Sequence, residues 1–317
     1  MTGITEVSFS IVYAITMIVA LAGNTLLIYI VWKKPGTRNL TSFMFVNMAV
    51  ADLLVAVFQM PISIAIFYFH HIQIPCEFFY YSAFVSTTAS IFCLAVMAFD
   101  RYFAVVHPFR SSIWFRKPKI ITPVLWISSM VLMSIVPVSY KPVNGVCFLY
   151  DTVLSHLAFW SFILVIDYLL PLAVISSLYI IVAGKLWLHE MPADDEVPVH
   201  QRQQEIPKKK VIRMLIIVVV VFAVCWLPVH VYQMDKSVKR GALWPPSLIY
   251  FCYWLSQANS AINPWLYIGL NGKMKAAFTK MIRCCRGGNL RQQRSSVGTN
   301  TRSKATFTKR SLLDTKM

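Results

Sequence analysis

Seven long apolar segments follow one another along this chain, and they restrict its fold more strongly than any other feature. They cover residues 8–32, 41–69, 76–106, 120–138, 157–187, 211–234 and 243–270. Each has about the 20 apolar residues that an α-helix needs to cross the hydrocarbon core of a bilayer. With 57% hydrophobic residues, 14% charged residues and a mean hydropathy of +0.60, the chain is too apolar for a water-soluble domain. We therefore predict an all-α membrane protein, a seven-transmembrane helix bundle.

The basic residues predict the orientation of these spans. The chain has 30 Lys and Arg residues against 13 Asp and Glu, a net charge of +17. With the amino terminus outside, all basic residues except Lys141, Lys236, Lys239 and Arg240 lie on the inner side. Since basic flanks stay in the cytoplasm, we predict a multi-pass plasma-membrane protein with its amino terminus outside and its carboxyl terminus cytoplasmic. The basic residues flank the spans instead of forming a groove. We therefore expect them to contact the lipid bilayer, and we expect no binding of nucleic acid.

Cysteines refine this topology. Cys76 opens the third span on the outer side, and Cys147 lies in the outer loop between the fourth and fifth spans, where oxidising conditions allow a disulfide between them. Cys284 and Cys285 are placed inside, next to the membrane. This position favours S-palmitoylation over plain thiols.

The remaining segments complete the predicted organisation. Residues 1–7 form a short extracellular amino terminus, and residues 8–270 form the membrane domain. The link 188–207, with its acidic residues and prolines, is predicted to be a flexible loop. Residues 271–285 alternate apolar and basic faces as a short amphipathic juxtamembrane helix does. Residues 286–317 are predicted to form a disordered cytoplasmic tail rich in Ser and Thr. A kinase would phosphorylate this tail and arrestin would then bind it; the alternative is a tail that is not modified.

Short motifs inside the spans carry a resemblance to a known family. Asp100-Arg101-Tyr102 ends the third span, and a charge pair at a membrane boundary is costly enough to indicate function. Cys225-Trp226-Leu227-Pro228 lies in the sixth span and Asn263-Pro264-Trp265-Leu266-Tyr267 in the seventh. The other spans contribute Gly23-Asn24, Asn47, Ala51-Asp52-Leu53, Trp126, Pro171 and Tyr179. In this order, residues 8–285 resemble a rhodopsin-like (class A) G-protein-coupled receptor.

This resemblance implies a switch at the inner end of the bundle. Arg101 would pair with Asp100 at rest and extend toward Tyr179 and Tyr267 on activation, where it meets the heterotrimeric G protein. Two sets of partners are what a two-state equilibrium requires. Lys208 stands where some members carry an acid that locks this Arg, so we expect higher basal activity. The resemblance adds Tyr102, Pro228, Asn263 and Pro264 to the switch, and makes Ile91, Pro171 and Phe222 its packed connector.

Asp52 is a candidate ligand of a sodium ion. A lone carboxylate in a membrane must be neutralised, paired or solvated. The resemblance supplies Asn24, Ser90, Asn259, Ser260 and Asn263 as its partners around an allosteric sodium ion, which prefers oxygen ligands. A protonated Asp52 bonded to the same groups is the alternative. We expect no other cofactor.

The ligand is predicted to be a neuropeptide. Ala83 replaces the Asp by which amine receptors bind a cation, and Gln257 replaces the retinal-binding Lys of light sensors. The stretches around Asp100-Arg101-Tyr102 and Trp226 are similar to those of tachykinin, RFamide and neuropeptide Y receptors. The expected pocket holds Thr87, Asp167, Trp226, His230, Gln233, Tyr253 and Gln257. Asp167 would pair with a basic peptide side chain, or alternatively remain neutral and bond a neighbouring helix.

Other functions remain as alternatives. A non-peptide ligand, an amine or a lipid, would leave the receptor assignment intact. A seven-span transporter would need a continuous polar path or the broken-helix symmetry of such proteins, and the sequence shows no internal repeat. We expect no enzyme activity, because no paired catalytic constellation is apparent in the sequence.

Overall fold

The computed structural model describes residues 2–33, 39–68, 75–107, 117–143, 146–149, 154–188, 199–239 and 244–283. Its first span is Thr2–Lys33, its third Cys76–Val106, its sixth Val199–Val238 and its seventh Pro246–Leu270. The second span consists of Leu40–Leu54, a π-helical turn Val55–Gln59, and Met60–Tyr68. The fourth consists of Pro118–Leu132, a 3₁₀ turn Met133–Ile135, and Val136–Ser139, and the fifth of His156–Leu164, a π-helical turn Val165–Leu169, and Leu170–Leu188. The architecture is that of an all-α membrane protein, as predicted.

Two predicted boundaries differ from the structure. The first helix begins at Thr2, so residues 2–7 are helical and continue the first span. The sixth helix begins at Val199, which makes the prediction of a flexible loop wrong for residues 199–207. These residues include Gln201, Gln203 and Gln204, which favour helix. The long apolar helix that follows can extend into this segment without the cost of starting a new helix.

The seventh span is more polar than the others. Among the described residues, six helical stretches are long and apolar enough to cross a membrane, and these correspond to the first six spans. Pro246–Leu270 is long enough but carries Ser256, Asn259, Ser260 and Asn263 on its buried face. Polar groups are accommodated at membrane depth when they face the interior of a bundle, and these four side chains are buried.

Several helix ends follow from local sequence. Asn39 caps the second span, accepting a hydrogen bond of 2.8 Å from the backbone N–H of Ser42. Ser155 caps the fifth span in the same way, through the N–H of Ala158. Pro118 and Pro246 occupy first-turn positions, where a missing N–H costs no helical hydrogen bond.

A short β-hairpin lies between the fourth and fifth spans and was not predicted. Strand β1, Tyr140–Val143, pairs antiparallel with β2, Val146–Leu149. Tyr140 stacks on Tyr80 at the start of the third span, with ring centroids 3.9 Å apart. We call this end of the bundle the hairpin end, and the opposite end, where the third span terminates, the Arg101 end.

A single large apolar cluster fills the Arg101 half of the bundle. All seven spans contribute buried side chains to it, and the fourth span does so through Ile121 and Leu125. Its members also include Leu27, Phe45, Ile91, Phe222 and Tyr267. A helix over residues 272–283 follows the seventh span. Its Met274 is buried in this cluster, whereas Lys273, Lys275 and Lys280 are exposed, as the predicted amphipathic pattern requires.

Candidate functional site

The guanidinium of Arg101 lies at the last turns of the third span. Its terminal nitrogen forms an ion pair with the neighbouring Asp100 and donates a hydrogen bond of 2.8 Å to Oγ1 of Thr41 in the second span. The Nε of Arg101 is buried without a hydrogen-bond partner. Arg101 is therefore held by a partner on its own helix and a partner on the second span, while part of its donor capacity remains unused.

The other predicted switch residues pack around this end. Tyr267 stacks on Phe45 at 4.2 Å between ring centroids and donates a hydrogen bond to Sδ of Met48 at 3.4 Å. Tyr179 is buried in the fifth span, and Tyr102 is half-buried. In this arrangement Arg101 contacts Asp100, and Tyr267 contacts the second span. Of these contacts, the ion pair between Arg101 and Asp100 is the one that the family resemblance implied for the resting state. The assignment of this arrangement to that state stays a prediction.

The sixth span carries Pro228 in the middle of a continuous helix. Proline removes a backbone donor, so the helix is weakened at this turn. Two residues before it, Trp226 stacks against Phe222 with ring centroids 5.9 Å apart. The phenol of Tyr168 in the fifth span donates a hydrogen bond of 2.9 Å to the carbonyl of Ala223. This bond joins the fifth and sixth spans close to the proline.

Asp52 lies in a buried polar cluster between the first, second and seventh spans. Its Oδ2 accepts a hydrogen bond of 3.2 Å from the side-chain amide of Asn263, and the hydroxyl of Ser260 lies nearby. Asn24 donates to the backbone carbonyl of Ser260 at 3.0 Å, which links the first span to the seventh. Ser90, from the third span, and Asn259 are buried as well.

The donor set of this cluster fits a hard cation. The side-chain oxygens of Asn24, Asn259 and Asn263 are buried and have no hydrogen-bond partner. An unpaired buried carbonyl oxygen costs about 1–3 kcal/mol, so several of them on one cluster favour a ligand that accepts electron pairs. A carboxylate with amide and hydroxyl oxygens is the set that sodium prefers.

The predicted ligand pocket occupies the hairpin half of the bundle. Gln233 in the sixth span donates a hydrogen bond of 2.6 Å to the phenol of Tyr253 in the seventh. Gln257 donates to the hydroxyl of Ser63 in the second span at 3.1 Å. Nε2 of His230 and Nε1 of Trp226 are buried without partners. These residues thus lie on the sixth and seventh spans, with a bond to the second span, and several of their donors and acceptors are unused.

Asp167 is the most buried acid of this half of the bundle. It lies in the π-helical turn Val165–Leu169, with 1% of its surface exposed. Its Oδ1 accepts a hydrogen bond of 2.8 Å from Thr88 in the third span, and its Oδ2 has no partner. Thr87, which was predicted from the sequence as a pocket residue, donates to the carbonyl of Ala83 within its own helix.

Comparison with known proteins identifies the family of this bundle. A sequence model of the seven-transmembrane receptors of the rhodopsin family matches residues 23–267. This match covers most of the chain and includes the Asp52 cluster, Arg101 and Pro228. The chain belongs to the rhodopsin family of seven-transmembrane receptors. It is a multi-pass membrane protein, and its seventh span crosses the membrane despite its polar residues.

The receptor is similar to several curated peptide receptors. It is 29% identical to the tachykinin-like peptides receptor 86C of Drosophila melanogaster, in an alignment that covers 97% of this chain and 65% of that protein. It is 28% identical to the substance-P receptor of Rattus norvegicus and 27% identical to that of Homo sapiens, with 86% of this chain and 70% of each relative aligned. The chain thus spans 65% to 70% of the length of these relatives.

Some predicted site residues lie outside the described part of the receptor. Cys284, Cys285 and the tail are among them, and so are the side chains of Cys76 and Lys208. Cys147 is disulfide-bonded. Because the side chain of Cys76 lies outside the described part, the pairing of these two cysteines stays a prediction. The connector residues Ile91, Pro171 and Phe222 are all buried, and their role in transmission also stays a prediction.

Sequence reasoning missed four residues that contact predicted site residues. They are Thr41, Ser63, Thr88 and Tyr168, which bond Arg101, Gln257, Asp167 and the Ala223 carbonyl. Each is a hydroxyl residue in an apolar span, a common and unspecific feature. Helical spacing does point to Thr88, which lies three residues before Ile91 and on the same side of the third span.

Proposed function

We propose that this receptor binds an extracellular peptide at its hairpin end and activates a heterotrimeric G protein at its Arg101 end. The observation that carries the proposal is the Arg101 side chain, held by Asp100 and Thr41 with an unused Nε. A guanidinium with spare donors at the open end of a bundle can exchange its present partners for a protein's carbonyl groups. Such an exchange gives the two states that a transducer needs.

A peptide is favoured over an amine by the chemistry of the hairpin half. Gln233, Tyr253, Gln257 and His230 offer amide, phenol and imidazole groups, which match the donors and acceptors of a peptide backbone. Ala83 leaves no carboxylate at the position where amine receptors bind their cation. The names of the similar receptors, for tachykinin-like peptides and for substance P, support the same ligand class.

The proposed orientation places the hairpin end outside the cell. The disulfide at Cys147 lies in the hairpin, which fits the oxidising side of the membrane. Two of the four basic residues of this end are paired with acids, Lys141 with Glu77 at 3.6 Å and Lys239 with Asp235 at 2.6 Å. At the Arg101 end, Lys33, Lys273, Lys275 and Lys280 are exposed, as the positive-inside rule expects.

Three regulatory features form part of the proposal. A sodium ion bound to Asp52 and the Asn24, Ser90, Asn259, Ser260 and Asn263 groups would stabilise the resting arrangement, because it would join four spans, the first, second, third and seventh. Phosphorylation of the Ser and Thr residues of the tail by a kinase would create a site for arrestin. Palmitoylation of Cys284 and Cys285 would anchor the end of the helix 272–283 to the bilayer.

Expression of the full chain in cells tests the ligand class. Amidated peptides, monoamines and lipids are applied separately while calcium and cyclic AMP are recorded, with untransfected cells as the control. We expect responses to peptides, and a tag at the amino terminus accessible to antibody on intact cells. A response confined to monoamines or lipids would refute the peptide assignment and leave the receptor assignment intact, whereas an inaccessible amino-terminal tag would refute the orientation.

A further inference from the structure

We infer that Asp167 binds a cationic group of the ligand, a guanidinium or an ammonium on a long side chain, deep between the third, fifth and sixth spans. The inference rests on the proposed function, because it specifies the chemistry of the proposed peptide. The geometry that carries it is the pairing of Asp167 with Thr88, which satisfies one carboxylate oxygen and leaves the other without a partner.

The contrast with the other buried acids isolates Asp167. Three acids are buried in the described part of the chain, namely Asp52, Asp100 and Asp167. Asp100 has the guanidinium of Arg101, and Asp52 has the side-chain amide of Asn263 with the hydroxyl of Ser260 nearby. Within the same part of the chain Asp167 has Thr88 alone. A carboxylate that is 1% exposed and has one neutral donor is left to acquire a counter-ion from outside the chain.

The surroundings of Asp167 can accept further N–H donors. The next residue, Tyr168, packs against the ring of His230 with centroids 4.9 Å apart, so the fifth and sixth spans meet at this level. Nε2 of His230 is buried and unpartnered. An imidazole nitrogen without a proton is an acceptor, and a guanidinium offers several donors in one plane. Asp167 and His230, on the fifth and sixth spans, thus each retain an unpaired polar atom that a multidentate cation can bond.

The depth of the site selects a long side chain. His230 lies three residues, less than one helical turn, before Gln233, which bonds Tyr253 at the hairpin end of the bundle. A peptide whose backbone lies at the level of Gln233 and Tyr253 can reach His230 and Asp167 with an Arg or Lys side chain. A small amine bound at the pocket entrance would not span this distance.

A divalent metal ion fits the site less well. The described residues include no group of three or more His, Cys, Asp and Glu side chains that could hold a metal ion. Asp167 and His230 would supply two ligands, fewer than zinc or copper sites in proteins provide. An organic cation needs only hydrogen-bond acceptors and one negative charge, both of which are present.

A charge-removal comparison tests the inference. Each peptide from the screen that activates the receptor and contains Arg or Lys is resynthesised with citrulline or norleucine, which keep the length and remove the charge. On the unmodified receptor we expect the neutral peptide to be at least about tenfold weaker. On Asp167→Asn, which keeps the shape and removes the charge, we expect the two peptides to have equal potency.

Two hydroxyl variants complete the comparison, one as a second test and one as its matched control. Thr88→Val is a second test: it removes the one donor to Asp167 among the described residues. Because the carboxylate then depends more on the cation of the ligand, we expect the potency ratio of the charged and neutral peptides to change. Ser177→Ala removes a hydroxyl of the same fifth span that bonds only its own helix, at the carbonyl of Ala173, and we expect the ratio to stay as in the unmodified receptor. An equal potency ratio in the unmodified receptor and Asp167→Asn would overturn the inference.

Other outcomes separate this inference from the proposed function. Full potency of peptides without any basic residue would overturn the role of Asp167 and leave the peptide assignment standing. If no peptide activates the receptor, the proposed function fails, and thermal unfolding of the purified protein decides the inference separately. Arginine amide should then stabilise the unmodified receptor more than citrulline amide does, and this difference should vanish in Asp167→Asn. Equal shifts in both proteins would overturn the inference.

Discussion

The side-chain amide of Asn263 in the seventh span donates a hydrogen bond of 3.2 Å to Oδ2 of Asp52 in the second span. Both residues are almost fully buried. Asn263 begins the motif that ends at Tyr267, whose ring stacks on Phe45 of the second span. The Asp52 cluster and the Tyr267 contact therefore join the same two spans at two depths.

Sodium removal should raise basal signalling. The proposed sodium ion at Asp52 would stabilise the resting arrangement by mass action. Replacement of sodium by N-methylglucamine at constant ionic strength should therefore increase basal nucleotide exchange by about two- to tenfold. In Asp52→Asn, which lacks the charge, the exchange rate should not depend on sodium. The measurement is GTP-analogue binding in membranes. An unchanged sodium response in Asp52→Asn would exclude Asp52 as the ligand.

Gly23→Ala should destabilise the receptor. A Cβ at position 23 would lie 2.7 Å from Cγ of Pro264 and 3.1 Å from Nε1 of Trp265, so the first and seventh spans must move apart. Overpacking of this kind costs about 1–3 kcal/mol. Thermal unfolding of the purified receptor measures the effect.

Gly184 provides the matched control for this substitution. A Cβ there would meet nothing within 4 Å, and Ala is the better helix former. Gly184→Ala should therefore leave the unfolding temperature unchanged or raise it slightly. Equal unfolding temperatures for Gly23→Ala and Gly184→Ala would contradict the close approach of the two spans.

Tyr168→Phe should increase basal activity. It keeps the ring against His230 and removes the hydrogen bond to the Ala223 carbonyl, which restrains the sixth span near Pro228. A hydrogen bond of this kind contributes about 1 kcal/mol, so basal signalling should rise by up to about fivefold at equal surface expression.

Tyr81→Phe is the control for Tyr168→Phe. It removes a similar phenol–carbonyl bond, from Tyr81 to Met130, between the third and fourth spans. Because the sixth span takes no part in that bond, basal signalling should stay unchanged. A rise of the same size in both variants would show that the Tyr168 bond has no specific role.

Cys147→Ser should lower the stability and surface expression of the receptor. Loss of a native disulfide typically costs about 2–4 kcal/mol, because it restrains the unfolded chain. If Cys76 is the partner, the double variant Cys76→Ser/Cys147→Ser should be no less stable than either single variant. Additive losses in thermal unfolding of the three proteins would exclude this pairing.

Most of the spans were predictable from apolar length. The predicted third span, residues 76–106, agrees with the helix Cys76–Val106. A span is identifiable from sequence because it is continuously hydrophobic over about 20 residues. The β-hairpin was not predictable in this way, since Tyr140–Val143 and Val146–Leu149 are only four residues each. Their pairing also depends on the stacking of Tyr140 on Tyr80, a tertiary contact.

The site was predictable in part. Asp52 and Arg101 were singled out because charged side chains are rare and costly in a membrane span, and Asn263 was singled out by the family resemblance. Their functional roles stay predictions. Thr88 and Tyr168 were missed because a hydroxyl can bond its own helix, as Thr87 does, and the sequence does not show which one reaches across. The π-helical turn Val165–Leu169, which shifts the register of the fifth span next to Asp167, also has no sequence signature of its own.

Arg101→Gln provides the most direct test of the account. The substitution removes the charge that pairs with Asp100 and keeps a side chain that can bond Thr41. Nucleotide exchange on a purified heterotrimeric G protein is measured with equal amounts of folded receptor and a saturating activating peptide. We predict that peptide binding persists while peptide-driven exchange falls at least about tenfold. Unchanged exchange in Arg101→Gln would contradict the claim that this guanidinium transmits the signal.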